Sequence, residues 1–473
     1  MLRQLSSFFQ LRELDKKWIK ALLFVFPSAI SIGILVAQGR DKIVLFIFGV
    51  SLFFIVMSLS SQIKYWLFLA GIFLGLITPV DFPLGISLGE LILTALVVDQ
   101  LFTNQRGSRS LHMPNSSLKP LPFIIAFAGY SLIINLIHKD LIYWHVVSLI
   151  PLLCLVLSMT MVNTPKRAWM VIKIALFVII SYLILWLLAN LTGRVTVDFG
   201  ADWRLGGQTF SFGPLVFTMY SVHLAGFIGL GIPALIILML SPSEKPFFRL
   251  FYGSMLVIFT FALFITAARG PLIGMILSII LTLILIFRLR WLMIAAILVI
   301  VIILLFTLPL IAQAIPQEIL VPVLNRYSEL QDINSVGTFG YRLKIFDLTL
   351  QDIGKNPFGS GYNYLYLQYG YGDEANIYTS IINGSGILGF VLFVLILGIL
   401  AWKFIDSYRK ANIVWQRDFA VIGLSTLVFE LISGVSAHNV VVLVKDSVVF
   451  WSILAACYSI LQYNPPMREK DVE

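Results

Sequence analysis

Apolar runs of about twenty residues recur along most of this chain, and they leave little choice of fold. Inside a hydrocarbon layer no water is available to backbone N–H and C=O groups, so a crossing segment must satisfy them itself, as a helix does. The segments that meet this condition are 21–37, 43–60, 65–80, 84–102, 121–138, 141–162, 168–191, 212–240, 251–268, 271–287, 291–311, 381–402, 419–435 and 443–462. The chain therefore reads as an all-α polytopic membrane protein of about fourteen transmembrane helices. Of its 473 residues, 59% are hydrophobic and only 12% charged. That inventory is too poor in charge to clothe a water-soluble enzyme built on one large core, where about a quarter of residues are charged.

The net charge of +9 follows from the same fold. Lys and Arg collect in cytoplasmic loops and set orientation, which accounts for the excess without nucleic acid as a partner. With the N-terminus inside, cytoplasmic segments hold Lys16, Lys17, Lys20, Lys64, Arg106, Arg109, Lys166, Arg167, Lys245, Arg249, Arg288, Arg290, Arg409, Lys410 and Arg417, among others. The opposite segments hold fewer. Both termini are thus expected in the cytoplasm. Arg12 to Lys20 before the apolar run 21–37 imitates a secretory signal, but that run is long for one and reads as a retained first helix. Cys154 and Cys457 lie in apolar stretches and suggest neither a disulfide nor a metal framework.

Three divisions follow: an N-terminal set of seven helices over 1–200, a C-terminal region over 201–462, and a tail over 463–473. Two outer loops stand out, 192–211 and 312–380. The second carries Tyr341, Phe346, Phe358, Tyr362, Tyr364, Tyr366, Tyr369, Tyr371 and Tyr378, too aromatic for a solvated tail. Leu343, Phe346, Leu350 and Ile353 recur at helical spacing, and Pro357 ends the pattern, so this loop is expected to form an ordered cap.

The outer arginines are the first candidates for chemistry: Arg204, Arg269, Arg326 and Arg342. Any one of them is open to a plain reading as an interfacial cation with a snorkelling stem. As a set they suit phosphate, which a guanidinium grips with a fixed fork of donors. Arg269 stands between Thr266-Ala267-Ala268 and Gly270-Pro271, where one helix ends and the N-terminal amides of the next favour an anion. In Asn356-Pro357-Phe358-Gly359-Ser360-Gly361, the glycines Gly359 and Gly361 permit close backbone approach and an amide-lined anion site. Asn376 leads into Gly386-Ile387-Leu388-Gly389, which reads equally as small-residue helix packing. His223, Glu430, His438, Asn439, Lys445 and Asp446 complete the ionisable or polar groups at or near membrane depth, functional candidates or structural pairs. No Walker loop, HExxH, GxSxG or Cys/His cluster is present in the sequence.

In order and placement these segments resemble the O-antigen ligase and O-antigen polymerase superfamily. The resemblance is carried by Arg204-Leu205-Gly206-Gly207 through Pro214, by Thr266-Ala267-Ala268-Arg269-Gly270, by Arg342 through Gly361, and by Asn376 through Gly389. It covers roughly residues 200–460. It implies a fold like that of the GT-C glycosyltransferases and an inverting, metal-independent transfer that needs no cofactor. The donor would be a polyprenyl-diphosphate-linked glycan and the acceptor a second glycan, with membrane lipids and polysaccharide export proteins as further partners. By this resemblance Arg269 and Arg342 are catalytic, and Arg204, Asn356, Gly359, Gly361 and Asn376 bind substrate; Arg326 and His438 join the substrate-binding candidates by their outer placement. One position departs: the family's histidine, thought to deprotonate the acceptor, is Ala375 here, which makes the adjacent Glu374 the candidate base. The departure favours polymerase over ligase, and it keeps a transporter or flippase, or a non-catalytic export scaffold, as alternatives.

Overall fold

The structure is a computed structural model that describes residues 56–57, 59–74, 78–79, 87–105, 120–138, 145–191, 208–212, 215–219, 221–266, 268–287, 337–362, 376–435 and 444–462. Two compact units divide between Met113 and Pro114.

In the first unit, α1 (Ser61–Leu74) packs against α2 (Leu88–Gln105), with a two-residue strand, β1 (Thr78–Pro79), between them in sequence. Helix α2 opens with a reciprocal cap. The Glu90 carboxylate accepts from the Ser87 N–H at 2.6 Å, and the Glu90 N–H donates to Ser87 Oγ at 3.1 Å, so two otherwise orphaned donors are satisfied. Lys64, expected as a loop cation, instead lies within α1 and donates to Asp99 of α2 at 2.6 Å, both buried. A charge kept out of water is tolerable only with such a partner.

The second unit begins with α3 (Pro120–Ile137), a π-helical turn at His145–Leu149 leading into α4 (Ile150–Met161), and α5 (Pro165–Leu191). There follow the strands β2 (Gln208–Phe212) and β3 (Leu215–Met219), then α6 (Ser221–Leu240), α7 (Pro246–Ile265) and α8 (Arg269–Phe287). Further along the chain are α9 (Gly337–Lys355), α10 (Ile377–Lys410), α11 (Val414–Ser433) and α12 (Val444–Gln462). Proline opens α3, α5 and α7, where its missing N–H would have had no intrahelical partner.

The described part is a helical membrane protein with one hairpin beside its helices: β2 and β3 pair antiparallel, Gln208 opposite Met219 and Phe212 opposite Leu215. The long apolar run 212–240 is consequently not one helix. Its start holds the strand Leu215–Met219, with the strand-favouring Val216, Phe217 and Thr218, and helix begins only at Ser221. The other described apolar runs each hold a helix, among them five long and apolar enough to span a membrane: Pro120–Ile137, Pro165–Trp186, Pro246–Phe264, Arg269–Phe287 and Ile377–Lys410. The spans 21–37 and 291–311 and most of 43–60 lie outside the described residues. The boundary near residue 200 is a division by motif; α5 before it packs on α6 and α12 beyond it.

Helix α6 is the hub of this unit. It is apolar on every face, and residues 224–238 are all buried, as a helix enclosed by others must be. It packs against α5, α7, α8, α11 and α12. Tyr182 meets Phe227 edge to face at 5.2 Å. Helix α7 buries one face on α6 and presents Phe247, Leu250, Val257 and Phe261 outward, the side expected against lipid.

Candidate functional site

The break between α7 and α8 is built by a threonine. Thr266 Oγ1 donates to the Leu263 carbonyl at 2.6 Å and accepts from the Ala268 N–H at 3.4 Å, which ends α7 and turns the chain. Helix α8 then starts at Arg269, with Gly270 and Pro271 in its first turn. The register of α8 against α11 fixes where this arginine stands. A side chain on Gly274 would meet the Phe429 carbonyl at 2.9 Å, and Ser278 Oγ donates to the Ser425 carbonyl at 3.0 Å. Residue numbers rise along one helix as they fall along the other, so the two are antiparallel. Continuing that register past Gly274 brings Arg269 level with the end of α11 at Ser433 and Gly434.

The start of α10 reaches the same level. The Ile377 N–H donates to the Gly434 carbonyl at 3.0 Å, and the Tyr378 hydroxyl donates to the Leu431 carbonyl at 2.6 Å. Asn376 caps this helix, its Oδ1 accepting from the Thr379 N–H at 2.8 Å. Arg269 and Asn376, 107 positions apart in sequence (376 minus 269), thus share one end of the bundle.

Helix α10 is interrupted at Gly386, which adopts φ 65° and ψ −170°. The two segments fold toward one another around it: Tyr378 and Phe390 rings lie 6.5 Å apart, and Ile377 and Phe393 line one recess with Leu397, Leu427, Leu431 and Phe450. Glu430 is the ionisable member of that recess and is buried.

Against this break sits the loop that follows α9. The Ile387 N–H, freed by the interruption, donates to the Pro357 carbonyl at 3.0 Å, and the Ser360 N–H donates to the Asn383 carbonyl at 2.8 Å. Gly359, with φ 102°, lies so close that a Cβ there would stand 2.6 Å from the Gly386 nitrogen. A Cβ on Gly386 would in turn collide with Pro357 and Phe358 backbone. The polar side chains bind the same junction. Asp352 accepts from Asn356 Nδ2 at 2.9 Å and from Ser360 Oγ at 2.7 Å, and Asn383 Nδ2 donates to Thr349 Oγ1 at 3.0 Å. A buried hydroxyl cluster ties it to α3: the Tyr362 hydroxyl shares hydrogen bonds with Ser385 Oγ at 2.8 Å and Ser131 Oγ at 3.3 Å. The Tyr130 hydroxyl donates to the Phe358 carbonyl at 2.9 Å.

The candidates therefore fall into groups. Arg269 and Asn376 stand at one end of the bundle. Asn356, Gly359 and Gly361 (φ 94°) build the loop that braces α10, and the Gly359 and Ser360 amides donate to the Asn356 and Asn383 carbonyls. Arg342 lies in α9, as His223 lies in the first turn of α6 and Lys445 and Asp446 in that of α12. Arg204, Arg326, Glu374, Ala375, His438 and Asn439 are outside the described residues. Sequence reading passed over Asp352, Asn383, Ser385 and Ser131. Small polar residues in apolar helices were the only signal, and they give no hint of which partner they meet.

The stretch from Ser254 in α7 to Val394 in α10 matches the family model described as O-antigen ligase, over residues 254–394. The segment is thus similar to the O-antigen ligase family over less than a third of the chain. The match takes in the Arg269 turn, α9, the Asn356–Gly361 loop and the Gly386 break. It supports the assignment to the O-antigen ligase and polymerase superfamily and, in general terms, glycosyl transfer in a multi-pass membrane protein. No match was found among curated proteins.

Proposed function

We propose that this protein is a membrane glycosyltransferase that extends or transfers polyprenyl-diphosphate-linked oligosaccharides on the outer face of a bacterial inner membrane, its termini in the cytoplasm. The observation that carries the reading is the convergence of Arg269 and Asn376 at one bundle end, within the ligase-family segment. At the start of α8 the guanidinium and the helix's first amides favour the same anion. As the bond between the anomeric carbon and the diphosphate oxygen breaks, its electron pair stays with the leaving diphosphate, and the guanidinium would stabilise the negative charge that grows there.

Arg342, Arg204 and Arg326 are proposed to complete the diphosphate grip, and His438 to contact substrate. Glu374 is proposed to take the acceptor hydroxyl's proton in place of the family histidine, two residues before the Asn376 cap. Asn356, Gly359 and Gly361 are proposed to act on substrate through the loop they shape. The fold is read as GT-C-like, with about fourteen helices.

The test is incubation of the purified full-length chain with a synthetic polyprenyl-diphosphate oligosaccharide and an acceptor glycan. Longer glycan and free lipid diphosphate are expected together, and both are expected to vanish in Arg269→Ala. Their absence with the unaltered protein would overturn the transferase reading. The interruption of α10 at Gly386 favours a second reading, since transporters for lipid-linked glycans or small anions use broken helices. In that case the labelled lipid-linked glycan would cross the vesicle membrane without release of lipid diphosphate.

A further inference from the structure

Helix α9 has three faces, and one of them is buried against another described helix, α10. At about 100° per residue, Ile345, Thr349 and Asp352 fall within an arc of about 60°, and all three are buried on the side that packs against α10. Lys344, Asp347, Gln351 and Lys355 form a second arc, of about 80°, and are exposed. Leu343, Phe346, Leu350 and Ile353 form a third arc, also about 80° wide, on the opposite flank. There Leu343 is 54% exposed, Phe346 49% and Leu350 53%.

A water-covered cap has no use for such a stripe. Sorting of charge to one exposed flank and large apolar side chains to the other is the pattern of a helix lying in a membrane interface. The stripe also continues into a surface already facing lipid. Beyond the end of α9, Phe358 is 67% exposed, and its neighbour Pro357 accepts from the Ile387 N–H. Ile387 begins an exposed apolar strip of Leu388, Val391, Val394 and Leu395 along the membrane helix α10.

We infer that α9 lies along the membrane interface, with Leu343, Phe346, Leu350 and Phe358 inserted at the boundary of headgroups and acyl chains. Lys344, Gln351 and Lys355 then face water. The occupant of the stripe is lipid of the bilayer that surrounds α10. This holds whether the protein transfers glycans or moves them.

The test uses the full chain in vesicles of phosphatidylethanolamine and phosphatidylglycerol. Cys154 and Cys457, both buried, are replaced by Ala, and single nitroxide labels are placed through Phe346→Cys, Leu350→Cys, Lys344→Cys and Gln351→Cys. Collision rates are measured with oxygen, which concentrates in lipid, and with a water-soluble nickel chelate. The oxygen-to-nickel ratio at 346 and 350 is expected to exceed that at 344 and 351 by roughly tenfold. Equal ratios would show the stripe in water and overturn the inference. Low rates with both reagents at 346 and 350 would overturn it too, by showing the stripe covered by protein, either this chain or a second copy.

Discussion

The turn around Arg269 and the loop from Asn356 to Tyr362 both lie in the stretch that matches the O-antigen ligase family model, yet they are built for different duties. The turn is closed with few, local bonds through Thr266, and it delivers a cation to the start of a helix at the end of the bundle. The loop spends its polar groups on the protein: the Gly359 and Ser360 amides, the Asn356 and Ser360 side chains and the Pro357 carbonyl all hold the loop or α10. Residues of the one matched segment thus divide into a charged side chain at a helix start, suited to address a substrate by charge, and those that shape the ground beneath it. A charged side chain at a helix start can act at a distance from its anchor, whereas a glycine acts only through its own backbone.

This contrast breaks most sharply at Gly386. Gly386→Val puts a β-branched residue at positive φ and into Pro357 and Phe358 backbone, and the expected loss is about 3–6 kcal/mol of stability. The readout is early thermal unfolding in detergent together with loss of transfer; an unchanged midpoint would show the junction to be loose. Arg269→Ala is the opposite kind of lesion. Transfer is expected to fall by roughly 10²–10³-fold, with little recovery in Arg269→Lys, while the unfolding midpoint falls far less than in Gly386→Val. A parallel fall in stability would move Arg269 into the scaffold class.

Asp352→Ala removes the shared acceptor of Asn356 and Ser360 and is expected to cost about 1–3 kcal/mol, seen as faster proteolysis after α9. Equal proteolysis rates would place the loop's strength in its glycines alone. The smallest effect sharpens the comparison at Asn376, which belongs to both sets. Asn376→Ala should cost about 1 kcal/mol through loss of the α10 cap, and Asn376→Ser should restore it. If transfer recovers with the cap, Asn376 is scaffold; if it stays low in both variants, the side chain meets substrate.

Much of this was legible in residue order. Apolar runs located α3, α5, α7, α8, α10, α11 and α12, because a span's length and composition are set by the bilayer, whatever the neighbouring helices are. The Thr266–Pro271 break and the amphipathic helix before Pro357 were equally plain, since turn chemistry and helical periodicity are local. The same logic misled at 212–240, where hydropathy alone does not separate a hairpin strand from the helix after it. It also placed Lys64 in a loop, because nothing near it in sequence announces Asp99.

What the sequence determined is the solvent: this composition requires lipid, and the runs within it require helices. Tertiary structure alone decided that Gly386 and Gly359 touch, that Asp352 gathers Asn356 and Ser360, and that Arg269 rises to the level of Asn376. Those facts depend on helix register and close packing, across 27 positions for Gly359 and Gly386 (386 minus 359) and 107 for Arg269 and Asn376 (376 minus 269), and on a loop path that leaves no periodic trace along the chain.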